Sequence, residues 1–600
     1  MRLTQLYFFF LLLIVSGCQS AAEEAGTDGG AQQPVSASEV AFRHADNVVR
    51  IGMSSEPPTL NPVLSASRTS RYVHEMIFQS LNAQDPNDYS LVPMLAGLPD
   101  VKPEANGMVG YAYSINPDAT WPNGLPVSAA DVVFSMKLVL NPLIGSGAYR
   151  SYYEAVSNVI TSPNDERRFK VMTSGPYLLA KDAIGSLVIY PEYAYDPEKK
   201  MRTIRLQELA TDRGAERLAK NNEDLQAFAE TFNALETSRS PEDLIGSGPY
   251  RLEEWESGQR ITLVKQDQYW AEGSSQPWLK AKPERLEFTI IQDANTMGTA
   301  LRDELVDVVT DLPIEQFKDL PNDAFLRDRY DFEVIDGLKY FGILFNQQLP
   351  IFRDAATRRA LAQLVDVDQL IEQLFPGGLA SRVTGPVMPA KAYYNDALEP
   401  VDYDVSAAKA ALSAAGWADS DGNGILDREV DGEQQELSFE FLIFPSPTSE
   451  AIGSLVAEWA AAAGVDIKVV PKDGRTLFGE LDKGNFATAI VGQSFEPYPE
   501  DFTQTYASTS VPPNGTNRGG FADREVDQLL RKIRTTLDAE DRYPLYDRFQ
   551  EIVYENQPMI FLFSTKDRLV VSRRFKYETR AKSPNLFFNA LEQHKWNKPE

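Results

Sequence analysis

The 600-residue sequence contains one cysteine, Cys18, and three histidines, His44, His74 and His594. A single thiol excludes an internal disulfide and a thiolate metal site. The histidines are so far apart, two of them near the chain ends, that a three-histidine zinc site would require both ends to fold back. Only His74 stands in a helical stretch, 72–78, and no Gly-x-Ser-x-Gly elbow accompanies it, so a Ser/His/Asp hydrolase has no support. Positive charge is scarce as well. Lys plus Arg number 58 against 86 Asp plus Glu, a net charge of −28. A surface this acidic repels phosphate, which excludes nucleic acid as a partner. Beyond the first fifteen residues no apolar run approaches the length of about 20 that a membrane span needs.

What is present is a globular composition, 43% hydrophobic and 24% charged. The length exceeds the roughly 250–300 residues at which single cores stop growing, so two or three domains are expected. At the N-terminus, Arg2 precedes an apolar run from Leu6 to Val15, followed by Val15-Ser16-Gly17-Cys18. The run suits a signal-peptide core. Its end resembles the bacterial lipobox, in which the thiol is diacylated after cleavage before the cysteine. Residues 1–17 are therefore expected to be a signal peptide, Cys18 a lipidation site, and 18–46, small, polar and Gly-rich, a flexible tether. The alternative is an ordinary secretory signal with an incidental cysteine.

Strand and helix signals alternate through the body. Ser128 and Asp131 form a capping-box pair ahead of Val132, Val133, Met136 and Leu140. Residues 260–269 begin as a strand, and Val526, Leu529, Leu530, Ile533 and Leu537 fall on one helical stripe. The clearest unit runs from 437 to 492. An apolar strand (437–444) is followed by a helix carrying Ile452, Leu455, Val456 and Trp459 and closed by Gly464. A second strand (465–470), a short helix (475–482) and a third strand (486–491) complete it. This alternation predicts α/β structure with parallel strands. Ligands of such sheets bind beyond the strand carboxyl ends, here at 492–498, which offers two aromatic rings and a carboxylate. The same residues also read as a plain surface loop.

Taken in order, several segments resemble the extracytoplasmic solute-binding proteins of family 5, the oligopeptide, dipeptide and nickel type that serve ABC importers. They are SSEPPTLNP (54–62), Met94-Leu95-Ala96, YAYSI (111–115), WPNGLPVSAADVVFS (121–135), GSGPYR (246–251) with Tyr269-Trp270, Phe345-Asn346, Phe352-Arg353-Asp354 with Arg358, Ala360 and Leu361, Ala415-Gly416-Trp417, and 542–558. The resemblance covers about residues 48–565. It implies a clamp of the type II periplasmic-binding-protein kind, with mixed sheets flanked by helices. Lobe I would comprise 47–85, 246–339 and 560–600, an inserted domain 86–245, and lobe II 340–559.

The resemblance also implies ligand-facing residues: Ser55, Glu56 and Pro57 from lobe I, Tyr340 and Phe341 from the crossover strand, and Gln493, Ser494, Phe495 and Glu496 from lobe II. In peptide-binding relatives a carboxylate after a Gly-Trp strand end holds the ligand's α-amino group. Here Gln493 replaces the Trp and Glu496 the usual Asp, so a carboxylate is kept on a longer arm. Glu56 and Glu496 also read as solvated carboxylates.

The expected function is binding without chemistry, in a monomer tethered outside the cytoplasmic membrane that passes a peptide or other small solute to an ABC permease. No cofactor, metal or catalytic residue is expected. A ligand sensor or surface interaction protein using the same clamp is the alternative. The run Asp419, Asp421, Asn423, Asp427 spaces oxygen ligands as a calcium loop does, with Gly424 sixth from Asp419, but Val430 stands where an EF-hand has Glu. A polar turn is the competing reading.

Overall fold

The structure is a computed structural model that describes residues 42–594 except Pro86, Asp311 and 581–584. Cys18, the apolar leader and the tether up to residue 41 lie outside the described residues. No helix among the described residues is long and apolar enough to cross a membrane.

Two large sheets organise the chain. The first has seven strands in the order Tyr330–Ile335, Asp567–Ser572, Val308–Val309, Val48–Met53, Arg285–Ile290, Arg260–Lys265, Tyr250–Glu256. Val48–Met53 runs parallel to both of its neighbours, and the remaining pairings are antiparallel. The second sheet has six strands, Ala380–Arg382, Met559–Thr565, Lys339–Phe345, Thr488–Ser494, Ser438–Ile443, Asp466–Pro471. A four-stranded antiparallel sheet (Asp100–Pro103, Val109–Ser114, Arg168–Thr173, Val156–Thr161) lies within the segment between the first and last parts of the seven-stranded sheet.

The expected 437–492 unit is present as parallel strands Ser438–Ile443, Asp466–Pro471 and Thr488–Ser494 around helices Pro447–Ala461 and Gly474–Lys483. Gly464 adopts φ 78° after the first helix, a conformation in which a Cβ is disfavoured. Its neighbours in the sheet run antiparallel, so the sheet is mixed. The chain crosses between the two sheets at 336–338 and returns at Lys566. The return expected near 560 lies later because Met559–Thr565 is a fully buried strand of the second sheet. The crossings touch: Lys566 pairs with Asp336, and a Cβ on Gly337 would stand 2.5 Å from the Thr565 carbonyl oxygen. Such paired crossings form a natural hinge.

Three other expectations are corrected. The stripe on helix Arg524–Thr535 ends at Ile533, and Leu537 lies beyond it, exposed, because the helix stops at Thr535. The last part of the expected tether packs on the first sheet: Asp46 pairs with Arg50 at 2.7 Å, and its carbonyl accepts from the buried Arg574 at 2.9 Å. The two ends of the described residues also come together, since Gln593 donates to the Ala45 carbonyl at 2.9 Å. His74 sits apart from them on helix Arg68–Ile77.

The recurring motifs act in the fold. Asp131, buried, accepts from Trp121 Nε1 (3.3 Å), the Ser128 amide (2.9 Å) and the Glu192 amide (3.0 Å), which ties 121–135 into one knot. Burial raises its pKa, against these hydrogen bonds. Gly246 and Gly248 pass so close to helix Arg68–Ile77 that a Cβ would come within 2.1 Å and 2.6 Å of backbone oxygens. Arg358, buried, donates to the carbonyls of Phe352, Arg353, Asn556 and Gln557. Trp417 Nε1 donates to Thr357 at 2.9 Å.

Candidate functional site

A cavity of about 350 Å³ lies between the lobes. Its first wall is helix Arg68–Ile77, started by the turn at Asn61, whose side chain accepts from Val63 N and the Tyr190 hydroxyl (3.3 and 2.7 Å). Arg71 and Glu75, one helical turn apart, both line the cavity. The segment 86–245 adds Tyr149, Tyr152, Tyr153 and, from the short helix Ala180–Gly185, Asp182. The second lobe adds Glu496 and Tyr498, immediately past the carboxyl end of strand Thr488–Ser494. The C-terminal part adds Arg580 and Phe587.

The loop carrying Glu496 is held from beneath. Lys391, buried, donates to the carbonyls of Glu496 (2.5 Å) and Tyr498 (2.7 Å) and pairs with Glu500 at 2.6 Å. The Tyr546 hydroxyl donates to the Glu500 carbonyl at 2.6 Å, and the Tyr393 hydroxyl accepts from the Glu500 amide at 3.0 Å. Burial pushes the Glu500 carboxyl up to about 7, with Lys391 pulling the other way.

Charges across the cavity are largely paired. Arg71 donates two bonds to Glu496, at 3.3 and 3.4 Å. Burial opposes the Arg71 charge, but Glu496 and Glu75 overcome it and raise its pKa. Arg580 donates to Glu75 at 3.4 Å; burial lowers its pKa, with Glu75 opposing. Burial pushes Asp182 up to about 6. The lobes also meet outside the cavity, where Arg534 pairs with Glu154 and, at 3.3 Å, with Asp501, and its carbonyl accepts from the Leu178 amide at 2.8 Å.

Of the nine ligand-facing residues expected from sequence, Glu496 alone lines this cavity. Ser55 is exposed and Pro57 buried. Glu56 accepts from Trp255 Nε1 (2.7 Å), Ser257 (3.0 Å) and the Gly258 amide (3.1 Å), so it fastens a strand turn of its own sheet. Tyr340 is fully buried, its hydroxyl 3.2 Å from Gln493 Oε1. Phe341 packs on Phe563 and beneath Gly492. Phe495 packs on Tyr340, and Gln493 and Ser494 line a separate cavity of about 250 Å³ within the second lobe. Tyr340 and Phe341, successive residues of strand Lys339–Phe345, alternate between its two faces, so the two cannot both turn to one cleft. The cavity is lined instead by Arg71, Glu75, Asp182, the three tyrosines and Arg580, none of which the sequence singles out. The i, i+4 spacing of Arg71 and Glu75 was the one readable signal.

Asp419, Asp421 and Asp427 bring carboxylate oxygens within 4.8 Å of one another. Asp419 already accepts from the amides of Gly422 and Gly424, and Asp427 from Ser420 N and Oγ. These bonds fit the polar turn, with Gly422 and Gly424 at positive φ.

Two sheets joined by adjacent crossings, with a ligand-sized cavity between the halves, define a two-lobed binding protein. This chain belongs to the bacterial extracellular solute-binding proteins, family 5, whose middle-region model matches residues 100–515. It is 23% identical to the oligopeptide-binding protein AppA of Bacillus subtilis over 547 residues, 89% of this chain and 90% of AppA. It is 22% identical to the dipeptide-binding protein DppE of the same organism, covering 92% and 91%. Among solved structures, AppA in complex with a nonapeptide superposes with a TM-score of 0.67 at 21% identity, covering 91% of this chain and 99% of AppA. NikA from Brucella suis in complex with Fe(III)-EDTA gives 0.72 at 18% identity, covering 91% and 100%. Family 5 proteins are extracytoplasmic solute-binding proteins of ABC transporters that take peptides or related solutes, and these relatives are binding proteins rather than enzymes.

Proposed function

We propose that this chain is the substrate-binding lipoprotein of an ABC importer, capturing a peptide-like solute between its lobes and passing it to a membrane permease. The observation that carries this reading is the interlobe cavity, walled by charged and aromatic side chains from both halves and bridged by Arg71 and Glu496. Its volume of about 350 Å³ lies at the lower end of the range for small-molecule sites, about 300–1,000 Å³, which favours a short peptide over a long one. A solute touching both walls binds the closed form better than the open one, and that differential affinity drives closure. The closed form is what a permease would recognise. Lipidation at Cys18 would hold the protein outside the cytoplasmic membrane as a monomer.

Native mass spectrometry of the exported protein tests the solute, with a co-purified short peptide as the expected result. Failure of every di- to pentapeptide to raise the melting temperature would refute the peptide reading. A Cys18→Ala variant should be released from membranes into the soluble fraction; retention would refute the anchor.

A further inference from the structure

Five side chains of ordinary fixed charge line the interlobe cavity: Arg71, Glu75, Asp182, Glu496 and Arg580. Four of them cancel in pairs, Arg71 with Glu496 at 3.3 Å and Arg580 with Glu75 at 3.4 Å. His74, which also lines the cavity, is engaged in an interaction of its own. Asp182 is left. Among the described residues its carboxylate has no ion-pair partner and takes a hydrogen bond only from its own backbone amide, although the residue is part-buried on the cavity wall.

The nearest cations do not neutralise it. Lys181 is its neighbour in sequence. Lys391 and Arg542, across the cleft in the second lobe, contribute only through space. Lys391 is committed to Glu500 and two carbonyls, and Arg542 to the carbonyls of Thr536 and Leu537. The cavity wall also carries Tyr149 and Tyr153, whose hydroxyls already donate to the carbonyls of Ser65 and Ala183. Their rings remain as cavity wall, a surface that suits a cation. A carboxylate kept in a partly desolvated cavity without a counter-charge is costly and marks a place where a ligand supplies the missing charge.

We infer that Asp182, in the inserted segment, is the residue that receives the cationic group of the bound solute, and that Glu496 serves instead as the partner of Arg71 that ties the lobes together. The ligand is then a primary amine, such as the α-ammonium of a short peptide, seated against the wall opposite the one that the family resemblance points to. This rests on the proposed capture of a peptide-like solute, and it narrows that solute to one with a free amine.

The test is calorimetric binding of trialanine, N-acetyl-trialanine, putrescine and spermidine to the wild-type chain and to the Asp182→Asn and Glu496→Gln variants. Asp182→Asn is isosteric, and its melting temperature is recorded alongside; an Asp182→Ala variant repeats the comparison in case the amide forms new bonds. The expected result is that acetylation weakens wild-type binding at least tenfold and that this penalty disappears in both Asp182 variants. In Glu496→Gln both trialanine forms weaken equally, so the penalty persists. A penalty that persists in the Asp182 variants but vanishes in Glu496→Gln overturns the assignment and leaves the peptide reading intact. Binding of the polyamines alone, lost on Asp182→Asn, upholds the assignment and overturns the peptide reading. Binding of none of the four overturns both.

Discussion

Arg71 and Glu496, 425 positions apart in sequence, meet at 3.3 Å across the cleft between the two lobes. One sits on the helix that follows the first strand, the other on the loop that ends the last parallel strand of the second sheet. The pair joins the two walls of the cavity, one group from each side.

Glu496→Gln removes that attraction while keeping the side chain's shape. The Glu496 side chain is 38% exposed, and pairs of this kind are worth about 0.2–1 kcal/mol. The closed fraction should fall by up to about fivefold, read as a larger radius of gyration in solution scattering. Arg534→Ala, which releases Glu154 and Asp501 at the rim, should act in the same direction. Scattering unchanged in both variants would mean that these contacts do not set the closure equilibrium.

Lys391→Met tests the support beneath the loop. It leaves two carbonyls without their donor and the buried Glu500 without its cation. Removing one partner of a buried pair costs about 3–5 kcal/mol. The Glu500→Gln change added to it should restore part of the loss, because no charge is then left behind. A melting temperature within a degree of wild type for Lys391→Met would contradict the described geometry.

Stability should fall between about pH 4 and 7 through two carboxyls. Asp182 is raised to about 6 and Glu500 to about 7 by burial, each above its unfolded value. The folded chain therefore holds protons there that the unfolded chain has released. Their contribution is fully present below the unfolded values and is lost as pH rises through the folded ones. Denaturant titrations at pH 4.5 and 7.5, compared with those of an Asp182→Asn, Glu500→Gln double variant, should show a smaller decline in the variant. Equal declines would place the titrating groups elsewhere.

Asp131→Asn should act on the fold alone. Its Oδ2 accepts from Trp121 Nε1 and the Ser128 amide, and an amide nitrogen facing either donor leaves a buried group unpaired at a cost of about 1–3 kcal/mol. Solute affinity should stay within about twofold of wild type, because Asp131 does not line the cavity. A large loss of affinity at unchanged stability would give this segment a role in binding that the structure does not support.

The local sequence was enough for the parallel unit between 437 and 492, for the capping pair Ser128 and Asp131 and for Gly464 at a helix end. Each of these depends on periodicity or backbone conformation within a few residues. The family resemblance extended that reading to two lobes and an insertion. The cavity wall was not legible in the same way. The sequence offers Glu56 either as a cleft residue or as a solvated carboxylate and does not show that Trp255, Ser257 and Gly258 occupy its oxygens, and Asp182 carries no local mark at all. Whether a carboxylate is paired depends on which donors arrive from distant parts of the chain, 425 positions away for Glu496 and 505 for Glu75, and a linear pattern does not encode that. The chain alone determined the elements and their order; which charges cancel across the cleft, and which one is left for a guest, was decided only when distant segments were folded against one cavity.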